Sequence, residues 1–243
     1  MGVLIRRLEG RRDEVPRGGE DDVDGDDGVQ NGASIAARAR DTLTLVEYTV
    51  VAKPEPELLD DVASLHHGAL SYRSFITDFG PRFLTVLYRG LLSRGDGFLL
   101  VATEDGSLVG FILACTDSTR LLSAVLGSPF EVASIILPAL VRSPRRLTKL
   151  IQTLRYGSRR RVPIPAELLV IAVVPERRST GVGRRLLTEL RAEFRARGID
   201  AYKVTVHEQM ADANHFYSEN GLHMAGQFRL YGVPWNLYVD RLT

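Results

Sequence analysis

The sequence predicts an α/β protein with a mixed sheet of about seven strands and flanking helices. Two kinds of pattern support this prediction. Short runs with alternating or continuous apolar residues, typical of strands, recur through residues 43–243. Runs with apolar residues three or four positions apart, typical of helices, lie between them. The predicted order is strand, two helices, three strands, helix, strand, helix and two strands.

The first strand is predicted in LTLVEYTVVAKP, where Val46, Tyr48 and Val50 alternate with polar residues. Two helices follow it. EPELLDDVASLHHGAL has apolar residues at helical spacing, and PRFLTVLYRGLL begins with Pro81, which suits the first turn of a helix.

A hairpin is predicted in GFLLVATEDGSLVGFILACTD, because two apolar runs flank the dipeptide Asp105-Gly106. The only cysteine, Cys115, lies in the second run, where we expect a small core residue rather than a nucleophile. A single cysteine excludes an internal disulfide framework and suits a reducing compartment.

Four more strands are predicted in AELLVIAVVP, AYKVTVHE, HMAGQFRL and WNLYVDRL. The helix GVGRRLLTELRAEFRARG lies between the first two of them, and Gly198 is suited to end it. Its apolar residues form one face: Val182, Leu186, Leu187, Leu190 and Phe194.

Two segments differ from this pattern. Residues 1–42 are basic and then acidic and glycine-rich, with few large apolar residues, so we expect a disordered tail ahead of a domain at 43–243. Residues 119–162 form a predicted helical insertion between the third and fourth strands. Glu131 is its only acid, whereas its basic residues are numerous: Arg142, Arg145, Arg146, Lys149, Arg155, Arg159, Arg160 and Arg161.

The composition is that of an ordinary globular protein, with 44% hydrophobic and 25% charged residues and a net charge of +1. The longest apolar run, VASIILPALV, is too short to span a bilayer, and no secretory signal is visible. We therefore expect a cytoplasmic protein.

The stretch VVPERRSTGVGRRLL joins a strand to a helix through Gly181 and Gly183. A helix N-terminus presents unpaired N–H groups, and glycine lets an anion approach them closely. This favours a phosphate or pyrophosphate site, with a turn that needs glycine only for its geometry as the alternative. The triphosphate loop is excluded because Arg184 follows the second glycine, and the dinucleotide loop because Leu186 replaces its third glycine.

The spacing Arg178-x-x-Gly181-x-Gly183 after IAVVPE resembles the acyl-CoA loop of the Gcn5-related N-acetyltransferase (GNAT) superfamily. ANHFYSENGLH at 213–223 resembles the second signature of that superfamily, and the order of elements from about residue 45 also matches. Two departures occur: Met210 stands where an Asn is usual, and Leu222 replaces the Phe that follows Gly221.

The resemblance implies an acetyl-CoA donor and no metal. It implies that the loop holds the CoA pyrophosphate and that a fourth strand, bulged around Ala172 to Val174, pairs with the pantetheine arm, the Val173 N–H polarising the thioester carbonyl. Asn214 is a candidate for a further contact with that arm. The expected CoA-binding residues are Ala172, Val173, Val174, Arg178, Ser179, Thr180, Gly181, Val182, Gly183 and Asn214.

By the same resemblance, Tyr217 takes the general-acid position and protonates the departing thiolate. Glu167 matches the catalytic glutamate of the histone acetyltransferase branch and is the first candidate for the base that deprotonates the amine. His207 is the second candidate. His66 and His67 lie on an early helix that often lines the acceptor side, although surface positions fit them as well.

Three functions remain open from the sequence. The first is acyl transfer to a small amine or amino sugar, the second is the same reaction on a protein or peptide, and the third is a non-catalytic module that senses CoA or binds a partner. Residues 142–161 suit an acceptor that carries phosphate, an anionic membrane surface or a plain solvated face. Nucleic acid is not expected as a partner, because these arginines are not interleaved with stacking aromatic residues. The oligomeric state is not predicted.

Overall fold

Seven strands form a single mixed sheet in the computed structural model of this chain. The structure describes residues 45–70, 75–121, 129–142 and 162–242. All of these belong to one compact unit, Thr44–Thr243. The predicted tail, residues 1–42, and most of the basic part of the insertion lie outside the described residues.

The predicted order of elements is confirmed. The strands are β1 Glu47–Val51, β2 Gly97–Glu104, β3 Ser107–Cys115, β4 Glu167–Val173, β5 Ala201–His207, β6 His223–Leu230 and β7 Val233–Arg241. The α-helices are α1 Pro56–Leu70, α2 Pro81–Ser93, α3 Pro129–Arg142, α4 Val182–Ala196 and α5 Ala211–Glu219.

The strand order is β1-β2-β3-β4-β5-β7-β6, and β4–β5 is the parallel pair. All the other neighbouring pairs are antiparallel. The predicted hairpin joins β2 and β3. Asp105 and Gly106 both have positive φ, 50° and 75°, as a two-residue turn between twisted antiparallel strands requires.

Apolar side chains bury both faces of the sheet. Because successive strand residues point to opposite faces, Phe98 and Leu100 contribute to one core, and Leu99 and Val101 to the other. The first core contains the apolar face predicted for α4, and the second contains residues of α1 and α2. The helices therefore form a layer on each side of the sheet.

Helix α3 lies in the predicted insertion. Val132 and Ile136 pack against Phe83 and Val86 of α2, so this helix is attached to the outer side of the α1–α2 layer. None of the helices that the structure describes is long and apolar enough to cross a bilayer.

Candidate active site

A gap opens in the sheet between β4 and β5. These two strands pair only at Glu167 with Lys203 and at Leu168 with Val204. Beyond this point β4 stays on β3 and β5 stays on β7. The C-terminal half of β4 therefore presents a free edge toward β5, where an extended ligand can form strand-like hydrogen bonds.

A β-bulge in β4 coincides with the start of this gap. Leu113 pairs with Val170 and Ala114 with Leu168, so Leu169 is the extra residue. The bulge was predicted around Ala172 to Val174, and that position is wrong. A bulge bends and twists its strand, which explains why β4 leaves β5 directly after it.

The N–H of Val173 faces the gap. The N–H of Val174 donates to the Val109 carbonyl of β3 at 2.9 Å. Since neighbouring strand residues direct their backbone groups to opposite sides, the Val173 N–H and carbonyl point toward β5. The Val173 carbonyl accepts a hydrogen bond from Arg178 Nε at 3.2 Å, which ties the end of β4 to the following loop.

This loop leads into an uncapped helix. It begins with a 3₁₀ turn, Pro175–Arg177, and ends at Gly181, the N-cap residue of α4, with φ 94° and no side-chain capping bond. Ser179 also has a positive φ, 60°. Among the described residues, no atom beyond the neighbouring residues lies within 4 Å of a Cβ built on Gly181. No side-chain bond therefore caps the first N–H groups of α4 at Gly181, and the anion site there stays a prediction.

The loop is anchored to the β2–β3 hairpin by Arg177, which the sequence analysis passed over. Its Nε and Nη2 donate to the Glu104 carboxylate at 2.7 and 2.6 Å. Thr180 Oγ1 donates to the Arg177 carbonyl at 2.8 Å. A bidentate pair fixes orientation as well as distance, so it holds the loop at the end of β4.

For the acetyl-CoA donor that the resemblance implies, we expect Arg177→Ala to raise the KM about five-fold while changing kcat little. The pair is partly exposed, and exposed pairs of good geometry contribute about 1 kcal/mol, here to the order of the loop. Steady-state kinetics of Arg177→Ala, Glu104→Ala and the double variant would measure the coupling. Additive losses in the double variant would contradict an anchoring role.

This loop, which carries the first predicted signature, lies beside the second signature in α5. A Cβ built on Gly183 would lie 3.5 Å from Phe216 of α5 and 3.8 Å from Val173 of β4. The start of α4, the end of β4 and the second signature are therefore in direct contact. This arrangement brings Tyr217, the next residue, to the same part of the fold.

Tyr217 is buried, with 4% of its surface exposed. Its ring lies 5.3 Å from that of Phe216 and 6.0 Å from that of Tyr238. Burial raises the pKa of the phenol. Tyr217 therefore keeps its proton near neutral pH, which is the state that a proton donor needs.

Glu167 is buried at the narrow end of the gap, with 4% of its surface exposed. It is not the solvated residue that a strand end suggests. Burial raises the pKa of its carboxyl, and Lys203 and the Ser118 hydroxyl partly oppose that effect. Its carboxylate Oε2 lies 3.6 Å from Lys203 Nζ.

The predicted contact of Asn214 with the CoA arm is not supported by its surroundings. Its Nδ2 donates to the carbonyls of His207, Glu208 and Met210 at 3.0, 3.1 and 2.8 Å. Its Oδ1 accepts from Asn236 Nδ2 at 2.7 Å and from the Tyr238 hydroxyl at 3.0 Å. Because both ends of the amide are used within the fold, Asn214 joins β5, α5 and β7 instead.

The histidines occupy different environments. His66 is buried against α2, where its Nδ1 is hydrogen-bonded to the Tyr88 hydroxyl, so it is not a surface residue. Burial, and then the neighbouring His67, lower the pKa of His66 to about 4. His207 Nδ1 accepts from the Gln209 N–H at 3.1 Å, and its ring packs edge-on against Trp235.

In the part of the chain that the structure describes, no three His, Cys, Asp or Glu residues are grouped so that they could hold a metal ion.

Lys203, like Arg177 and Glu104, was missed by the sequence analysis. Its partner is 36 positions away in the chain, and only the register of β4 and β5 reveals the pair.

Several solved structures with the same fold are acetyltransferases. PaiA N-acetyltransferase from Thermoplasma acidophilum, solved with coenzyme A, is 16% identical over 80% of this chain and 99% of its own, with a TM-score of 0.52. An N-acetyltransferase from Staphylococcus aureus Mu50 is 14% identical over 81% and 99%, with a TM-score of 0.51. An aminoglycoside 6'-N-acetyltransferase, solved with coenzyme A, is 15% identical over 81% and 97%, also with a TM-score of 0.51.

No curated protein matches this chain. Residues 66–222 match the family model described as the acetyltransferase (GNAT) family. The matched region runs from α1 to the end of the second signature and includes both motifs, the bulged β4 and the gap. The chain belongs to the GNAT acetyltransferase family.

Proposed function

We propose that this protein transfers an acetyl group from acetyl-CoA to a primary amine of a small molecule or amino sugar. The transfer proceeds by direct attack of the amine in a ternary complex. The observation that carries this proposal is the gap between β4 and β5, which has the uncapped N-terminus of α4 at its open end. The free strand edge suits the amide-rich pantetheine arm of acetyl-CoA. The helix N-terminus directly beyond it suits the pyrophosphate.

The residues of the chain suit this donor. Arg178, Ser179, Thr180, Gly181, Val182 and Gly183 would surround the pyrophosphate, and Ala172, Val173 and Val174 would line its arm. Gly181 has room for a phosphate oxygen where any other residue would place a side chain. Acetyl-CoA supplies the activated thioester.

Three groups divide the chemistry of the proposed transfer among them. The Val173 N–H donates to the thioester oxygen as negative charge develops there. Glu167 accepts, through intervening water, the proton that the ammonium form of the acceptor must lose, because Glu167 and Val173 lie at opposite ends of β4. Tyr217 donates a proton to the departing thiolate.

Acetyl-CoA is expected to raise the melting temperature by about 5 to 10 °C. At about 100 times its Kd, a ligand adds about 2.7 kcal/mol to the free energy of unfolding. Thermal melts with acetyl-CoA, CoA and pantetheine test this, since pantetheine lacks the pyrophosphate and should shift the melt less. A folded protein that none of these ligands stabilises would exclude the transferase.

The acceptor class is tested by a panel of simple amines, amino sugars, nucleotide-linked amino sugars and peptides. Release of CoA can be followed with a thiol reagent, because Cys115 is fully buried and burial raises the pKa of its thiol. Acetylation of amino sugars or small amines but not of peptides is expected. Transfer to peptides alone would make the protein a peptide N-acetyltransferase, and donor binding without any transfer would indicate a CoA-sensing module.

A further inference from the structure

We infer that Lys203 is a positioning residue for the general base: it holds the buried Glu167 carboxylate in place at the narrow end of the gap and favours its charged form. This inference rests on the proposed function, in which Glu167 accepts the proton of the amine. Lys203 is not assigned a contact with either substrate and acts through Glu167.

The two side chains lie side by side on the sheet. Glu167 and Lys203 are direct partners in the parallel β4–β5 register, one residue before the last paired position. The side chains are 5% and 16% exposed, and Glu167 Oε2 lies 3.6 Å from Lys203 Nζ. The pair therefore sits where the sheet divides, at the narrow end of the proposed catalytic gap.

The ammonium group is fixed from a second direction. Lys203 Nζ donates to the Ile164 carbonyl, three residues before Glu167, at 2.9 Å. The Lys203 N–H donates to the Ala166 carbonyl at 3.0 Å. The lysine is thus attached at both ends to the segment that leads into β4, and its position relative to Glu167 is set by the backbone.

Among the described residues, Lys203 is the charged group that acts on the pKa of Glu167, and Arg120, further along, is paired with Asp96 and Asp117. Cys115 of β3 is the register partner of Glu167. Burial raises the pKa of the Cys115 thiol, which therefore stays protonated. The Ser118 hydroxyl is hydrogen-bonded to Glu167, and Asp117 precedes it. On α1, which packs against β4, His66 is kept neutral by burial.

Two opposing effects therefore set the basicity of Glu167. Burial favours the protonated acid, and Lys203 favours the carboxylate. An ammonium group in closer contact would lower the pKa of Glu167 further and make the carboxylate a poor base. Without Lys203, the pKa would rise and the carboxyl would hold its proton at a higher pH. A lysine that is bound also to Ile164 offsets part of the effect of burial, and the pKa of Glu167 stays above its usual value.

The experiment compares the pH profiles of kcat/KM for the wild type, Lys203→Met, Lys203→Gln and Lys203→Arg. Removing the positive charge should move the acid limb upward by about one pH unit or more. At a pH below the acid limb, kcat/KM of the neutral variants should then be about ten-fold lower than that of the wild type, and it should recover at high pH. Lys203→Arg should restore the wild-type limb.

Thr205→Val is the matched control, since Thr205 lies two residues further along the same face of β5 and carries no charge. It should leave the limb in place. Equal losses at every pH in the neutral variants, or an unchanged profile, would overturn the inference. Lys203→Gln can still donate a hydrogen bond to Glu167, so it provides a folded neutral variant if Lys203→Met does not fold.

A direct titration separates this inference from the proposed function. The carboxyl ¹³C shift of Glu167, identified by its loss in Glu167→Gln, reports its pKa without any turnover. A higher pKa in the neutral variants supports the coupling even if no acceptor reacts, and an unchanged pKa overturns it. Active enzyme in which Glu167→Gln changes neither rate nor pH profile would instead refute the catalytic role of Glu167.

Discussion

Replacing Tyr217 with phenylalanine is expected to lower kcat about 100-fold or more, with little change in the affinity for acetyl-CoA. The substitution removes the proton donor that the proposed mechanism places at the leaving thiolate, and positioned acid–base groups contribute about 10²–10⁴-fold to rates. The ring stays, so its contacts with Phe216 and Tyr238 are kept. Presteady-state and steady-state kinetics would measure kcat, and calorimetry would measure affinity.

Tyr238→Phe is the matched control for this experiment. Tyr238 packs beside Tyr217, and its hydroxyl donates to Asn214 Oδ1 rather than to a substrate. It should lose some stability but keep a kcat within a few fold of the wild type, since one neutral hydrogen bond contributes about 1 kcal/mol. Similar losses in both variants, or parallel losses of kcat and donor affinity in Tyr217→Phe, would assign Tyr217 a structural role.

Gly181→Asp should weaken acetyl-CoA binding by about 100-fold or more and remove the stabilisation by the ligand. The new carboxylate would stand at the N-terminus of α4, where the pyrophosphate is proposed to bind, and the two anions would repel each other. The fold should survive because a Cβ at this position meets nothing within 4 Å and an acidic residue stabilises a helix N-terminus. Calorimetry and the thermal melt measure the loss.

Gly181→Asn is the control that isolates the charge. Asn and Asp have similar size and tolerate the positive φ of 94° about equally, so backbone strain is matched. The Asn variant should keep much more of its affinity than the Asp variant. Equal loss in the two would mean that the backbone at Gly181, rather than its anion site, limits binding, and full affinity in the Asp variant would place the pyrophosphate elsewhere.

The sequence alone determined the order of the elements. Local patterns suffice for this: alternation in the strands, a single apolar face in α4 and the Asp105-Gly106 turn all act over a few residues. Gly181 and Gly183 likewise predict a strand-to-helix anion site, because the required backbone freedom is a property of glycine itself. The same two motifs led to the correct family.

Only the tertiary structure decided where the gap opens and what surrounds it. A bulge depends on the register of β4 with β3, which no residue near Leu169 specifies, so its predicted position was wrong. The amide of Asn214, which was expected to contact the CoA arm, is used by three carbonyls a few positions earlier in the chain and by Asn236 and Tyr238 of β7, which are distant in sequence. Lys203 and Glu104 became visible for the same reason: their partners are brought to them by strand pairing and loop packing, and these long-range contacts leave no local pattern in the sequence.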